Sequence, residues 1–255
     1  MRRCLQAVVL LGAVLAVPLS ATAGERTARR PTELAASVLR AIPARDAVRH
    51  AGDRKRAVAL TFDDGPGPAT PRVLGLLARY RAHATFFVIG RQIAGEAAVL
   101  REAVAGGNCV ENHTWAHVDL RAAAPALRRQ QLGDTTVAIA RAAGRRPVLF
   151  RPPFGATDAS VNLLGRRLGL VPVLWSVDTR DWQDPPPGVI AERALAGARP
   201  GAIILLHDGG GDRSRTLAAL PAILAGLRAR GLEAVTVPEL LAGSPPSRTG
   251  GALTR

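Results

Sequence analysis

Asp63 and Asp64 stand side by side after an apolar run, and His113 and His117 stand four residues apart in the run His-Thr-Trp-Ala-His. Two neutral imidazoles and a carboxylate form the donor set of a catalytic zinc that keeps one position open for water. On a helical turn a spacing of four would point both rings to one side, and Asp64 is a carboxylate that can complete the set. Adjacent carboxylates repel each other and need compensation when partly buried. A metal at one and an arginine at the other would supply it. Arg151, Asp178, Asp181 and the pair His207-Asp208 offer further charge and proton-transfer groups. Three of the five histidines of the chain fall in this set, a concentration that surface decoration does not explain.

Such a set works only if distant segments are brought to one place. Short apolar runs at 57–62, 84–89, 108–111, 148–150, 171–177, 202–206 and 234–237 read as strands. Between them lie helical patterns. Val73, Leu74, Leu76, Leu77 and Tyr80 give one apolar face, Leu163, Leu164 and Leu168 a second, and Leu217, Leu220, Ile223, Leu224 and Leu227 a third. Alternation of this kind predicts a parallel sheet covered by helices. Seven units suggest a barrel, and periodicity alone also allows a doubly wound open sheet. The polar clusters follow the strands at their C-terminal ends, which in a parallel barrel share the face where active sites are built.

The clusters also carry a family resemblance. Thr61-Phe62-Asp63-Asp64-Gly65 resembles the first motif of the polysaccharide deacetylase family, the NodB-homology domain, and His113-Thr114-Trp115-Ala116-His117 resembles its second. Arg151-Pro152-Pro153-Phe154, Asp178-Thr179-Arg180-Asp181-Trp182 and Leu205-Leu206-His207 resemble the third, fourth and fifth, in order. The resemblance implies a distorted seven-stranded (β/α) barrel over residues 55–241.

It also implies roles. Asp64, His113 and His117 would bind a divalent metal, usually zinc. Asp63 would be the general base, held and kept ionised by Arg151. His207 would be the general acid, oriented by Asp181. The Phe154 N–H would help stabilise the oxyanion, and Trp182 and Leu205 would wall an apolar pocket for the acetyl methyl. Thr114 is expected to support the histidine loop and Asp178 to be structural. The sequence departs from the family where Glu111 replaces a common Gly and where Asn108 and Cys109 replace His and Glu. An extra carboxylate near the metal is the expected consequence.

The ends of the chain are different in kind. Arg2 and Arg3, an uncharged apolar stretch from Leu5 to Leu19, and Ala21-Thr22-Ala23 make a secretory signal over residues 1–23. If uncleaved, that segment is the one expected contact with a membrane. Residues 24–54 read as a linker with one short helix, and 242–255 as a loose tail. Removal of the signal leaves Cys109 as the sole cysteine, expected to be a buried thiol. The formal charge of +14 is almost all arginine, Lys55 being the only lysine. An exported cationic protein is drawn to anionic polymers such as those of a cell wall. No nucleic-acid motif accompanies the charge. The expected activity is removal of acetyl groups from N-acetylglucosamine units of peptidoglycan or chitin-like chains, in the secreted or wall-associated space. The alternatives are an esterase acting on O-acetyl groups of xylan, a carbohydrate-binding pseudoenzyme, and a cationic nucleic-acid or wall-adhesion protein.

Overall fold

A computed structural model of the chain describes residues 43–53 and 55–243. The expected signal segment, most of the expected linker and the end of the tail lie outside them. Strands β1 (Ala57–Gly65), β2 (Thr85–Val88), β3 (Cys109–Asn112), β4 (Leu149–Phe150), β5 (Val171–Pro172), β6 (Val177–Asp178), β7 (Ile203–His207) and β8 (Glu233–Val235) pair in parallel. Helices α1 (Thr70–Tyr80), α2 (Ala97–Ala105), α3 (Pro125–Ala143), α4 (Ala159–Arg167), α5 (Pro187–Ala196) and α6 (Ser214–Ala229) alternate with them, and α7 (Val237–Gly243) follows β8. The strands run in the order β5-β4-β3-β2-β1-β7-β6, and β8 pairs with the start of β1. This is a distorted seven-stranded (β/α) barrel.

The count of seven holds because β5 and β6 are two halves of the strand expected over 171–177. That strand is the seam of the barrel. Its start pairs with β4 and its end with β7, the opposite margins of the sheet. The ladder to β4 ends where Val173 N donates to Phe150 O, and Pro172 brings no amide to the opposite edge. Val48 fills the gap: its amide donates to Pro172 O, and its own carbonyl accepts from Leu174 N. Val48 and Ala51 are buried, and the Ala51 amide donates to Gly201 O. The last part of the 24–54 stretch is therefore built into the barrel, and the domain begins before Lys55. Apolar burial outweighs the linker-like composition there.

The strand period of two decides which residues face inward. In β1, Val58, Leu60 and Phe62 point outward and pack with Val73, Leu77, Leu220 and Ile223 beneath the helices. Ala57 and Ala59 point inward, among Phe87, Leu149, Val171 and Ile203. Thr61 and Asp63 continue that inward row. In β7, Ile204 and Leu206 pack outward, so Leu205 and His207 follow Ile203 inward. Phe150 in β4 packs outward with Leu120, Leu132 and Val161, which turns Arg151 inward. The helices require an apolar outer face, so polar residues at the strand ends converge in the mouth of the barrel.

Candidate active site

Arg151 is completely buried, and every edge of its guanidinium is used. Nη1 donates to Asp63 Oδ1 at 2.6 Å and to Thr61 Oγ1 at 2.8 Å. Nε and Nη2 donate to the carbonyls of Val173 and Leu174, the residues where the seam strand leaves its ladder. The Phe87 ring lies 4.2 Å from the guanidinium carbon. Burial pulls the guanidinium pKa down and Asp63 pulls it back. The fork thus ties Asp63 to β1, β4 and the seam together.

Beside it, carboxylate and imidazole nitrogens converge. Asp64 Oδ1 lies 3.5 Å from His113 Nε2 and 3.3 Å from His117 Nε2. The three ligand atoms fall within 4.8 Å of one another. His113 Nδ1 donates to the Arg151 carbonyl at 2.7 Å, which leaves the Nε2 lone pair facing Asp64. Asp64 Oδ1 is buried and makes no hydrogen bond. Burial would push this carboxyl up, but the imidazoles of His113, His117 and His207 more than reverse it, so Asp64 stays ionised. Burial, and then His113, push His117 down toward its neutral form. Two imidazole nitrogens and one carboxylate, gathered around a common point with an orphaned oxygen among them, fit a divalent cation.

The two histidines do not sit on a helical turn. Residues 113–119 form an irregular loop in which Thr114 and His117 have positive φ, 67° and 56°. Asn112 holds this loop: its Oδ1 accepts from Thr114 N and its Nδ2 donates to Leu132 O on α3. Thr114 Oγ1 accepts from His117 N, and Gln131 Oε1 accepts from Ala116 N. Side chains that replace backbone partners, rather than helical spacing, bring the rings together. Thr114 supports the loop as expected.

Across the mouth, Asp181 holds His207. Its Oδ1 accepts from His207 Nδ1 at 2.7 Å and its Oδ2 from His207 N at 2.8 Å. Thr216 and Thr179 hydroxyls also donate to it. Burial disfavours a charged His207, but the Asp181 hydrogen bond and charge outweigh it, and the pKa is raised. Asp178 accepts from Arg180 N in the turn before Asp181, a structural role.

The rim is aromatic. Phe154 has φ 61° and its ring, 71% exposed, lies edge-on 4.6 Å from the His117 ring. Trp182 is 53% exposed beside Asp181, so it is not a core residue. Leu205 is buried one inward position below His207.

Glu111 departs from expectation. It occupies an inward position below His113, and its Oε2 accepts from Val148 N and Leu149 N at the start of β4. Burial pushes its pKa up to about 8 against those two hydrogen bonds. The extra carboxylate serves the barrel floor and not the Asp64–His113–His117 cluster. Burial, and then Glu111, push the Cys109 thiol up to about 12, so it is unreactive.

Gln92 and Gly209 escaped the sequence reading, and Asp208 entered it only as the neighbour of His207, without a role. Gln92 Nε2 donates to Asp64 O at 3.0 Å. Asp208 is buried beside the site, accepts from Thr70 Oγ1 at 2.6 Å, and its amide donates to Asp63 O. Gly209 passes so close that a Cβ would lie 1.9 Å from Asp64 O. Adjacency to His207 was the one sequence signal for the last two, and nothing local marks Gln92.

An arginine-held carboxylate, a carboxylate–imidazole cluster and a carboxylate-held imidazole at one barrel mouth are the kinds of group that a hydrolytic site requires. Comparison with known proteins agrees. The family model of polysaccharide deacetylase matches residues 50–173. A chitooligosaccharide deacetylase of Rhizobium leguminosarum bv. trifolii is 39% identical over 201 residues, covering 74% of this chain and 94% of that protein. A peptidoglycan-N-acetylglucosamine deacetylase of Bacillus cereus is 38% identical over 192 residues, covering 74% and 90%. The crystal structure of a mutant CE4 family pseudoenzyme with restored activity superposes with a TM-score of 0.72 at 30% identity, covering 77% of this chain and 71% of that one. The chain belongs to the polysaccharide deacetylase family.

Proposed function

We propose that this hydrolase is an exported N-deacetylase that uses zinc to release acetate from N-acetylglucosamine units of peptidoglycan or chitin-like chains. The observation that carries the reading is the convergence of Asp63–Arg151, Asp64–His113–His117 and His207–Asp181 at one barrel mouth. A divalent cation held by Asp64, His113 and His117 supplies polarisation of the acetyl carbonyl and a lowered pKa for water.

The remaining work falls to the chain. Asp63 Oδ1 is held by Arg151, and the carboxylate accepts a proton from water as water adds to the carbonyl carbon. His207, charged through Asp181, donates a proton to the amine nitrogen as the C–N bond breaks. Acetate and a free amine result. The Phe154 N–H joins in stabilising the oxyanion, and Trp182 and Leu205 bound the methyl pocket. The signal segment and the +14 charge support a place outside the cell near an anionic wall polymer. A binding-only protein would lack the base or a ligand, and none is missing from this site.

The test is acetate release from N-acetylated chitooligosaccharide and from peptidoglycan, after chelation and with zinc restored, beside Asp63→Asn. Release that zinc restores and the substitution abolishes supports the reading. No release from either polymer refutes it, with acetylated xylan as the control for an O-acetyl esterase.

A further inference from the structure

A cleft of about 530 Å³ opens directly from the metal ligands Asp64 and His117, lined also by Arg91, Gln92 and Gly209 to Gly211. A second cleft of about 340 Å³ carries Arg72, Arg213 and Asp212, and shares Pro68 and Gly211 with the first. The two form one groove leading away from the site. Arg91 and Arg72 are exposed, and neither guanidinium has a protein partner among the described residues. Arg213 is largely occupied by the Gly209 and Gly210 carbonyls. The one opposing carboxylate outside the metal set, Asp212, already accepts from Ser214 N and Oγ.

Apart from the His117 imidazole, neither lining contains an aromatic ring. The exposed rings of Phe154 and Trp182 are not among the lining residues, and the half-exposed Trp115 ring packs against Gly90, next to Arg91, without joining the lining. The lining itself therefore offers a neutral pyranose no apolar ring to stack on. A chain of hydroxyls and acetamides offers two free guanidiniums no charged partner. A carboxylate does, in a geometry that matches their fork. We propose that the Arg91–Arg72 groove is a specificity subsite for sugars bearing a carboxylate next to the N-acetylated unit, either a lactyl ether or a uronic acid. The proposal rests on the deacetylase reading above and names the glycan class within it.

The experiment compares kcat/KM for three probes of equal length. They are a neutral N-acetylglucosamine oligomer, a peptide-free strand with alternate lactyl ethers, and a strand alternating with glucuronate. The wild-type protein is set beside Arg91→Gln, Arg72→Gln, the double variant and the double Arg→Lys variant. The carboxylated strand should be preferred, and each Gln substitution should lower that preference by about two- to fivefold, as solvent-exposed ion pairs do. The loss should fall mainly in KM, shrink at high salt, vanish when the strand's carboxylates are amidated, and be partly rescued by lysine. Whichever carboxylated strand shows the arginine-dependent preference identifies the source of the charge. Equal losses on all probes, or no preference for either carboxylated strand, overturn the subsite and leave the deacetylase reading intact. Turnover of no probe by the wild-type protein overturns both.

Discussion

Replacing Arg151 with Met tests whether the buried fork organises the site. The substitution keeps most of the side-chain volume over Phe87 and removes the charge. Asp63 is then left 3% exposed without its 2.6 Å partner, and the Val173 and Leu174 carbonyls lose their donors. Both members of the pair are fully desolvated, so no discount for solvent screening applies. Removing one partner of a buried pair costs about 3–5 kcal/mol. For a domain of this size each kcal/mol moves Tm by about 2–4 °C, so Tm should drop by about 6–20 °C in calorimetry. Adding Asp63→Asn to Arg151→Met removes the stranded charge and should return about 2–3 kcal/mol of coupling, the upper range for residues in direct contact. The carbonyls stay unsatisfied, so recovery remains partial. Activity should be lost in Arg151→Met, in Asp63→Asn and in the double variant. A Tm within 2 °C of wild type for Arg151→Met, or additive effects in the double variant, would refute the reasoning.

Two further outcomes follow from the same geometry. In Asp181→Asn, burial is opposed only by the smaller pull of Asp63 and Asp64, so the pKa of His207 falls from its raised value. A general acid acts while protonated, so the alkaline limb of the kcat/KM profile should move to lower pH. The stability that charged His207 gains from Asp181 is present at low pH and lost as pH rises through the folded pKa; the variant should show a smaller loss. An unshifted alkaline limb would mean that another group donates the proton. Gly209→Ala places a Cβ against the Asp64 carbonyl and should displace that ligand. Zinc affinity, read by titration against a chromogenic chelator, should fall by about 10- to 100-fold, the usual effect of disturbing a ligand's support. Unchanged affinity would show that the β7–α6 loop yields instead.

Much of this protein was legible as one-dimensional pattern. Strand–helix alternation and polar residues at strand ends predict a parallel barrel with its chemistry at one mouth, because period-two burial leaves polar side chains no other place to converge. The family motifs then attach roles to Asp63, Asp64, Arg151, Asp181 and His207. Three features needed the tertiary structure, because each depends on partners remote in sequence. Val48 completes the broken seam strand, although its neighbours read as linker, through hydrogen bonds to residues more than 120 positions away. The His113–His117 loop is shaped by Asn112 and by Gln131 on α3, not by helical periodicity. Glu111 reads as a metal-site carboxylate from its nearness to His113, yet its orientation along the strand commits it to the amides that start β4. Sequence fixes which side of a strand a residue faces; only the packed neighbours decide what its side chain meets there.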